Sequence, residues 1–395
     1  MKTLRRISIL TSLVMFFGAN LVAMATPAIP VADISRVFAQ ISSSPALAGP
    51  SMILIDRSSG EIVFQTDATS LRKPASVLKL LSTTAALQFL DPNYRYVTRV
   101  AKGLNPRTLV ISGNLDPWMT DSYLEANKYH RAWLSYLVNR SVAELKAEES
   151  TPLRKVSITY SGLYSNDVAL LKHEFAVKAL SATFTEISAN HIDSASGPEI
   201  AKVTSPSISD MVKFALTWSD NLLAERLARA ASHAVGYPMN DAGVSLTIRK
   251  LLTDLQVDQS GLSIHDGSGL SKQDRVTAKL IADLLVKIRG DDKFSAIYAG
   301  LPISGKSGTL ESRFINTAPQ AVGLVHAKTG TLDGTVSLAG YVESGTHEYI
   351  FVAIADHIRK GQAATDQARN TLDRLLGKIT APLELVKAAT PTNPN

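Results

Sequence analysis

The stretch DATSLRKPASVLKLLSTTAALQFL (67–90) contains Ser-x-x-Lys twice, as Ser70-Leu71-Arg72-Lys73 and as Ser76-Val77-Leu78-Lys79. A serine and a lysine three positions apart share a face only if both lie on a helix. Lys73 precedes Pro74, and a proline ring drives the residue before it out of the α region, so the first copy cannot continue as a helix. The same proline favours a first helical turn, which puts Ser76 near a helix N-terminus and Lys79 one turn further in. Free backbone N–H groups and the positive dipole end at that point suit the stabilisation of an oxyanion. In a chain rich in serine the motif alone is weak evidence, and its company decides.

Ser219-Asp220-Asn221 follows, inside the helical stretch FALTWSDNLLAERLAR, and then Lys328-Thr329-Gly330-Thr331 on a strand leading into a glycine-rich hairpin. Ser-x-x-Lys, Ser-Asp-Asn and Lys-Thr-Gly in this order are the motif set of penicillin-binding proteins and serine β-lactamases. Lys306-Ser307-Gly308-Thr309 satisfies the looser Lys-Ser/Thr-Gly form, but it sits in the Pro/Gly loop LPISGKSG without flanking strands. Lys328 follows the alternating run VGLVHAK and precedes TVSLAGYV, as an active-site edge strand should.

The first 25 residues read as a secretory signal: Lys2, Arg5 and Arg6 precede the apolar run ISILTSLVMFFGANLVAM, which closes on Ala23-Met24-Ala25. The rival reading is an uncleaved N-terminal anchor, for which the run is short. The segment carries three basic and no acidic residues, so without it the formal charge falls from +6 to +3. With no basic tract either, nucleic acid is not an expected partner. The absence of cysteine rules out disulfides, a lipidated cysteine and thiol chemistry. The eight histidines are scattered without ligand spacing, so no metal site and no cofactor are expected.

Beyond a short helix candidate, VADISRVFAQI, the run PSMILIDRSSGEIVFQTD reads as two strands joined by the turn Arg57-Ser58-Ser59-Gly60. Positions 91–204 read as a separate module. Its short β-rich runs, YRYVTRVAKG, RTLVISG, RKVSITYSG and EFAVKALSATFTEISANHI, surround one long helix candidate, SYLEANKYHRAWLSYLVNRSVAELKAEE. Helix candidates resume with SISDMVKFALTWSDNLLAERLARAASHA, a stretch near 239–256, and RVTAKLIADLLVKIRG. Three strand-like runs and the helix candidate ATDQARNTLDRLLGKI close the pattern. Strands at both ends with helices between predict an α/β (α+β) fold, one antiparallel sheet assembled from N- and C-terminal segments. The catalytic unit is then discontinuous, 26–90 and 205–380, with 91–204 inserted and 381–395 a disordered tail.

With these motifs placed, the chain resembles the class C low-molecular-mass penicillin-binding proteins, the D-alanyl-D-alanine carboxypeptidase/endopeptidase family. The likeness extends to LVISGNLDPWMT, SDNLLAERL, DGSGLSKQDRVTA, SGKSGTLESRF and KTGTLDGTVSLAGYV, covering about 50–120 and 205–356. It implies a serine β-lactamase/transpeptidase-like domain, exported to a periplasm or cell wall, without a stable membrane span after signal cleavage. It implies peptidoglycan stem peptides ending in D-Ala-D-Ala as substrates and β-lactam antibiotics as covalent inhibitors. The implied roles are Ser76 as nucleophile, Lys79 as its base and Ser219 as proton relay. Asn221 would hold the substrate amide, and Lys328 and Thr329 the terminal carboxylate; Thr331 would also contact substrate. The oxyanion hole would be the backbone N–H groups of Ser76 and Thr331. Ser76 and Ser219 stand 143 positions apart, more than a β-lactamase needs and fewer than in the family's larger members, implying that one of two inserted domains is lost or shrunk.

A class A β-lactamase would need a glutamate-bearing loop for deacylation. The sequence offers Glu186-Ile187-Ser188-Ala189-Asn190, which lies before Ser219 where that class places it after. A catalytically silent wall-binding protein on the same fold is the other alternative. Asp266 and Ser268 line the cleft or shape a turn; Arg313 caps a loop by hydrogen bonding, the preferred reading, or faces substrate; Asp116-Pro117-Trp118 reads as a turn in preference to a site.

Overall fold

The computed structural model describes residues 30–345 and 347–380. The signal reading of 1–25 and the tail reading of 381–395 lie outside these. Among the described residues, two five-stranded sheets organise the fold. The first contains β1 (Ser51–Asp56) and β2 (Ile62–Thr66) from the N-terminal segment. The second contains β3 (Val97–Gly103), β4 (Thr108–Ser112), β5 (Lys155–Ser161), β6 (Ser181–Glu186) and β7 (Ser196–Thr204). The C-terminal strands β8 (Val325–Leu332), β9 (Thr335–Ser344) and β10 (His347–Ala355) complete the first.

The first sheet runs β2-β1-β10-β9-β8 and is antiparallel throughout, so the chain ends meet where β1 pairs with β10, Ser51 opposite Ile354. All six residues of β1 are buried because both faces of the sheet are covered. Successive side chains alternate between faces. Met52 and Leu54 join Ile34 and Phe38 of α1 (Val31–Ser42) and Leu372 and Leu375 of α12 (Gln362–Thr380). Ile53 and Ile55 face the larger helical layer.

That layer is built on α2 (Lys79–Phe89), whose residues Lys79 to Leu87 are all buried. A helix without a wet face belongs inside. Around it pack α7 (Ile208–Thr217), α8 (Asn221–Ala234) and α9 (Asp241–Asp254), with α10 (Ala278–Ile288) and α11 (Ser295–Gly300) in the same core.

The second sheet, order β6-β5-β4-β3-β7, lies between α2 and α7 in the chain and has its own core. Its β4, β5 and β6 are parallel, linked by α4 (Leu134–Ala147) and α5 (Ser165–Val177). The long helix expected over SYLEANKYHRAWLSYLVNRSVAELKAEE is in fact two, α3 (Tyr123–Tyr129) and α4. His130 between them adopts left-handed φ 56°, ending the first. The run EFAVKALSATFTEISANHI begins as the last turn of α5 and becomes strand only at Ser181, followed by the short α6 (Ile192–Ala195). Asp116-Pro117-Trp118 does form a turn, with Asp116 Oδ1 accepting the Trp118 N–H at 2.8 Å.

Candidate active site

The two Ser-x-x-Lys copies part as Pro74 requires. Residues 71–73 are not helical: Arg72 is bridged to Val276, and the Lys73 N–H donates to Asp356 Oδ2 at 3.1 Å. Buried Arg72 donates to Asp356 Oδ1, also at 3.1 Å, fixing this approach to the end of β10. Pro74 then opens a 3₁₀ turn, Ala75–Leu78, that runs directly into α2. In a 3₁₀ turn residues i and i+3 eclipse, tighter than the expected α-helical offset. Lys79 Nζ therefore lies 2.9 Å from Ser76 Oγ.

Two features hold this turn in place. Ala75 has φ 48°, a strained value for a residue with a side chain, immediately before the serine. A Cβ on Gly269 would lie 2.0 Å from the Ala75 carbonyl oxygen, so only glycine lets the 266–271 loop support it. From the sheet, Ser337 Oγ on β9 donates to the Pro74 carbonyl at 2.6 Å.

Lys79 is fully buried and its ammonium is saturated: besides Ser76 it donates to Asn221 Oδ1 at 2.6 Å and to the Ser268 carbonyl at 2.7 Å. Burial pushes its pKa down to about 8, against the pull of Asp266, Asp220 and Glu225. Asp266 shapes the turn by accepting the N–H of Ser268 at 2.8 Å and of Ser271 at 2.7 Å, and the turn presents the Ser268 carbonyl to Lys79. Of the two alternatives for this loop the turn is the one seen: neither Asp266 nor Ser268 is among the cleft-lining residues, and the loop meets the site only through the Ser268 carbonyl.

Ser219-Asp220-Asn221 lies at the break between two helices, not within one. Ser219 has φ 58° and Asp220 caps α8, accepting the Leu223 N–H at 2.9 Å. The break turns Ser219 toward β8, where Lys328 Nζ donates to its Oγ at 2.9 Å and to the Thr329 carbonyl at 2.8 Å. Lys328 is fully buried; burial, reinforced by the charge of Lys79, pushes its ammonium well below the ordinary value. Strand β8 is the edge of the first sheet, as expected, and a Cβ on Gly330 would meet Ser337 Oγ at 2.1 Å.

A cleft of about 590 Å³ opens where these pieces meet, lined by Ser76, Ser219, Thr329 and Thr331. Of the other walls, Thr309 and the residues of α12 were not anticipated. Thr309 of the second Lys-Ser-Gly copy pairs its hydroxyl with that of Thr329 at 2.7 Å, while Lys306 is exposed in the loop. Arg369 and Asp366 of α12 also line it. Their helical spacing was legible, but their approach to β8 depends on the sheet closing. Arg313 lines the cleft yet is tied to buried Asp373, its Nε 3.3 Å from Oδ2, in the structural role expected. Glu186 ends β6 in the second sheet and is not among the cleft residues.

A serine beside a buried lysine, a second serine–lysine pair across the cleft and an edge strand beneath bring together the groups that an active-serine acyl transfer would use. A model of the D-Ala-D-Ala carboxypeptidase 3 (S13) family matches residues 34–148 and 150–379, and the chain belongs to that family. Carboxypeptidase DacB of Mycolicibacterium smegmatis is 27% identical over 344 residues, 75% of each chain. A D-alanyl-D-alanine carboxypeptidase of an Actinomadura species is 36% identical over 158 residues, 38% of this chain and 29% of its own. Among solved structures, penicillin-binding protein 4 of Haemophilus influenzae has the same fold: TM-score 0.65, 18% identity, 87% of this chain and 99% of the other covered. The fold is also that of a predatory peptidoglycan endopeptidase from Bdellovibrio bacteriovorus, with TM-score 0.60, 15% identity and coverage of 84% and 93%. Family membership makes the protein a hydrolase of the carboxypeptidase kind. Among the described residues no helix is long and apolar enough to cross a membrane.

Proposed function

We propose that this protein is an exported D-alanyl-D-alanine carboxypeptidase and/or endopeptidase that cleaves peptidoglycan stem peptides through an acyl-enzyme on Ser76. The single observation carrying this reading is the buried Lys79 ammonium, 2.9 Å from Ser76 Oγ and pushed down to about 8. Neutral Lys79 accepts the Ser76 hydroxyl proton as Oγ attacks the carbonyl of the penultimate D-Ala. The backbone N–H groups of Ser76 and Thr331 receive the developing oxyanion. The proton then passes to the leaving amine through Ser219, which Lys328 holds. The C–N bond breaks, D-alanine or a cross-linked peptide departs, and water frees the shortened peptide.

Asn221, fixed by Lys79, keeps its amide nitrogen for the substrate backbone. Lys328, Thr329 and Thr331 bind the terminal carboxylate side. Penicillins enter the same path, and their acyl-enzyme persists. The catalytic unit is 26–90 with 205–380, and 91–204 forms an inserted module, a division supported by the separate cores of the two sheets. Export rests on the signal-like 1–25 and on the cell-wall chemistry of the family.

Labelled penicillin followed by mass mapping tests the nucleophile. An adduct on Ser76 that disappears in Ser76→Ala is expected; an adduct on Ser70, or undiminished labelling of the variant, sinks the assignment. D-Alanine release from a synthetic D-Ala-D-Ala peptide tests the activity, and no release together with no adduct would leave a silent wall-binding protein.

A further inference from the structure

A neutral lysine amine has two N–H donors and one lone pair, and it serves as a base only while the lone pair faces the hydroxyl. Lys79 Nζ has three partners: Ser76 Oγ at 2.9 Å, Asn221 Oδ1 at 2.6 Å and the Ser268 carbonyl at 2.7 Å. The last two only accept, so together they hold both N–H groups of the neutral amine. The lone pair is then left to Ser76. Without the Ser268 carbonyl, one N–H is free to turn to Ser76 Oγ, and the amine donates where it should accept. The place of that carbonyl therefore decides the direction of the base.

The carbonyl is held through the residue before it. The Gly267 N–H donates to Glu225 Oε2 at 2.5 Å, and the Gly267 carbonyl accepts from Ser82 Oγ of α2 at 2.6 Å. A Cβ on Gly267 would lie 2.7 Å from the Cβ of Ala228, so the loop backbone rests directly on α8. Glu225 stands one turn after Asn221 on that helix. Arg229, a further turn along, donates from Nε to Glu225 Oε1 at 2.7 Å and from Nη2 to Asp241 Oδ1 at 2.9 Å, which leaves Oε2 aimed at the loop. Both acceptors of Lys79 are thus registered on α8, Asn221 directly and Ser268 by way of Glu225. The charges facing Lys79 are Asp220 and Glu225 from this helix and its cap, Asp266 from the loop and Lys328 from β8.

We infer, building on the acyl-enzyme reading above, that Glu225 is a positioning residue: its hydrogen bond to Gly267 holds the Ser268 carbonyl against Lys79 and so keeps the lone pair of the base on Ser76. Glu225 is not among the cleft-lining residues and acts only through the loop.

The test separates the hydrogen bond of Glu225 from its charge. Acylation by a fluorescent penicillin is followed from pH 6 to 9.5 on wild type, Glu225→Gln, Glu225→Asp and Glu225→Ala, with the thermal midpoint of each. Glutamine keeps an acceptor for Gly267, because Arg229, 35% exposed, is free to turn to Asp241 alone. Its rising limb should move to lower pH, since a carboxylate facing Lys79 is gone, while the high-pH plateau stays within about twofold of wild type. Aspartate keeps the charge but falls one methylene short of Gly267. Its plateau should drop roughly 3- to 10-fold, the range of one net hydrogen bond. Alanine should combine the lowered limb with the lowered plateau. On the plateau Lys79 is neutral, so a fall there reports the direction of the amine and not its protonation. Plateaus equal to wild type in Glu225→Asp and Glu225→Ala overturn the inference, as does an equal fall in Glu225→Gln, which marks a merely structural role. Should alanine fail to fold, the contrast of aspartate with glutamine decides by the same criteria. If wild type is acylated at Ser76 while the plateaus do not differ, only the role of Glu225 fails. If wild type takes up no penicillin at Ser76, the acyl-enzyme reading fails and this role with it.

Discussion

Acylation of Ser76 should carry a single rising limb in pH if, as proposed, its base is a lysine held near its titration point. With the Lys79 ammonium at about 8, roughly 10% of it is neutral at pH 7 and roughly 90% at pH 9. The second-order rate constant for acylation by a fluorescent penicillin should therefore rise about ninefold between those values. Lys328 shares the site and titrates with it, so the midpoint belongs to the pair. Asp220→Asn sharpens the test. Asparagine keeps the cap on the Leu223 N–H, yet it removes one of three carboxylates that hold the proton on Lys79. The limb should move to lower pH and acylation at pH 7 should quicken. Rates measured from pH 6 to 9.5 on both proteins decide the matter. A flat profile, a wild-type midpoint near the ordinary lysine value of about 10.4, or an upward shift in Asp220→Asn refutes the assignment of Lys79 as base.

Gly269→Ala, which drives a Cβ to 2.0 Å from the Ala75 carbonyl at φ 81°, should slow penicillin acylation at least tenfold and lower the urea midpoint by an amount worth about 1–3 kcal/mol. Asp356→Ala strips the buried Arg72 of its main partner and should destabilise by about 3–5 kcal/mol in the same assay. Burial pushes the Asp116 carboxyl up from 3.8 to about 7, so the folded protein keeps a proton that the unfolded chain gives up. Its contribution is most favourable below pH 3.8 and is lost as pH rises toward 7. Asp116→Asn should remove that part of the decline between pH 4 and 7, read as the difference between wild-type and variant urea midpoints.

The choice between the two Ser-x-x-Lys copies was legible because proline acts locally: one ring decides the conformation on both of its sides. The first sheet was legible for a similar reason, since three short alternating runs near the C-terminus needed partners and PSMILID supplied one. Helix breaks were harder. SDMVKFALTWSDNLLAERLAR keeps an apolar period through Ser219, and periodicity outweighed the one local signal present, an aspartate placed to cap NLLAERL. His130 gave no such signal, because a left-handed histidine is a product of packing. Arg369 and Thr309 were illegible for a different reason. Each reaches the cleft across 38 or 20 positions of chain, through contacts that exist only once β8 lies against β9 and α12 has docked.

The meeting of β1 with β10 also sets an order of events during synthesis. Ser76 and Lys79 are made early, but β8, β9 and β10, which bring Lys328 and the Ser337 hydroxyl bond to Pro74, arrive only after about 270 further residues beyond β1. At ribosomal rates of roughly 5–20 residues per second that is a wait of about 15–50 s, during which β1 has no sheet partner on its β10 side. The proposed nucleophile thus exists for most of the chain's synthesis without the strand that completes its cleft, and on that reading a chain that stops short of β8 carries the serine in inert form.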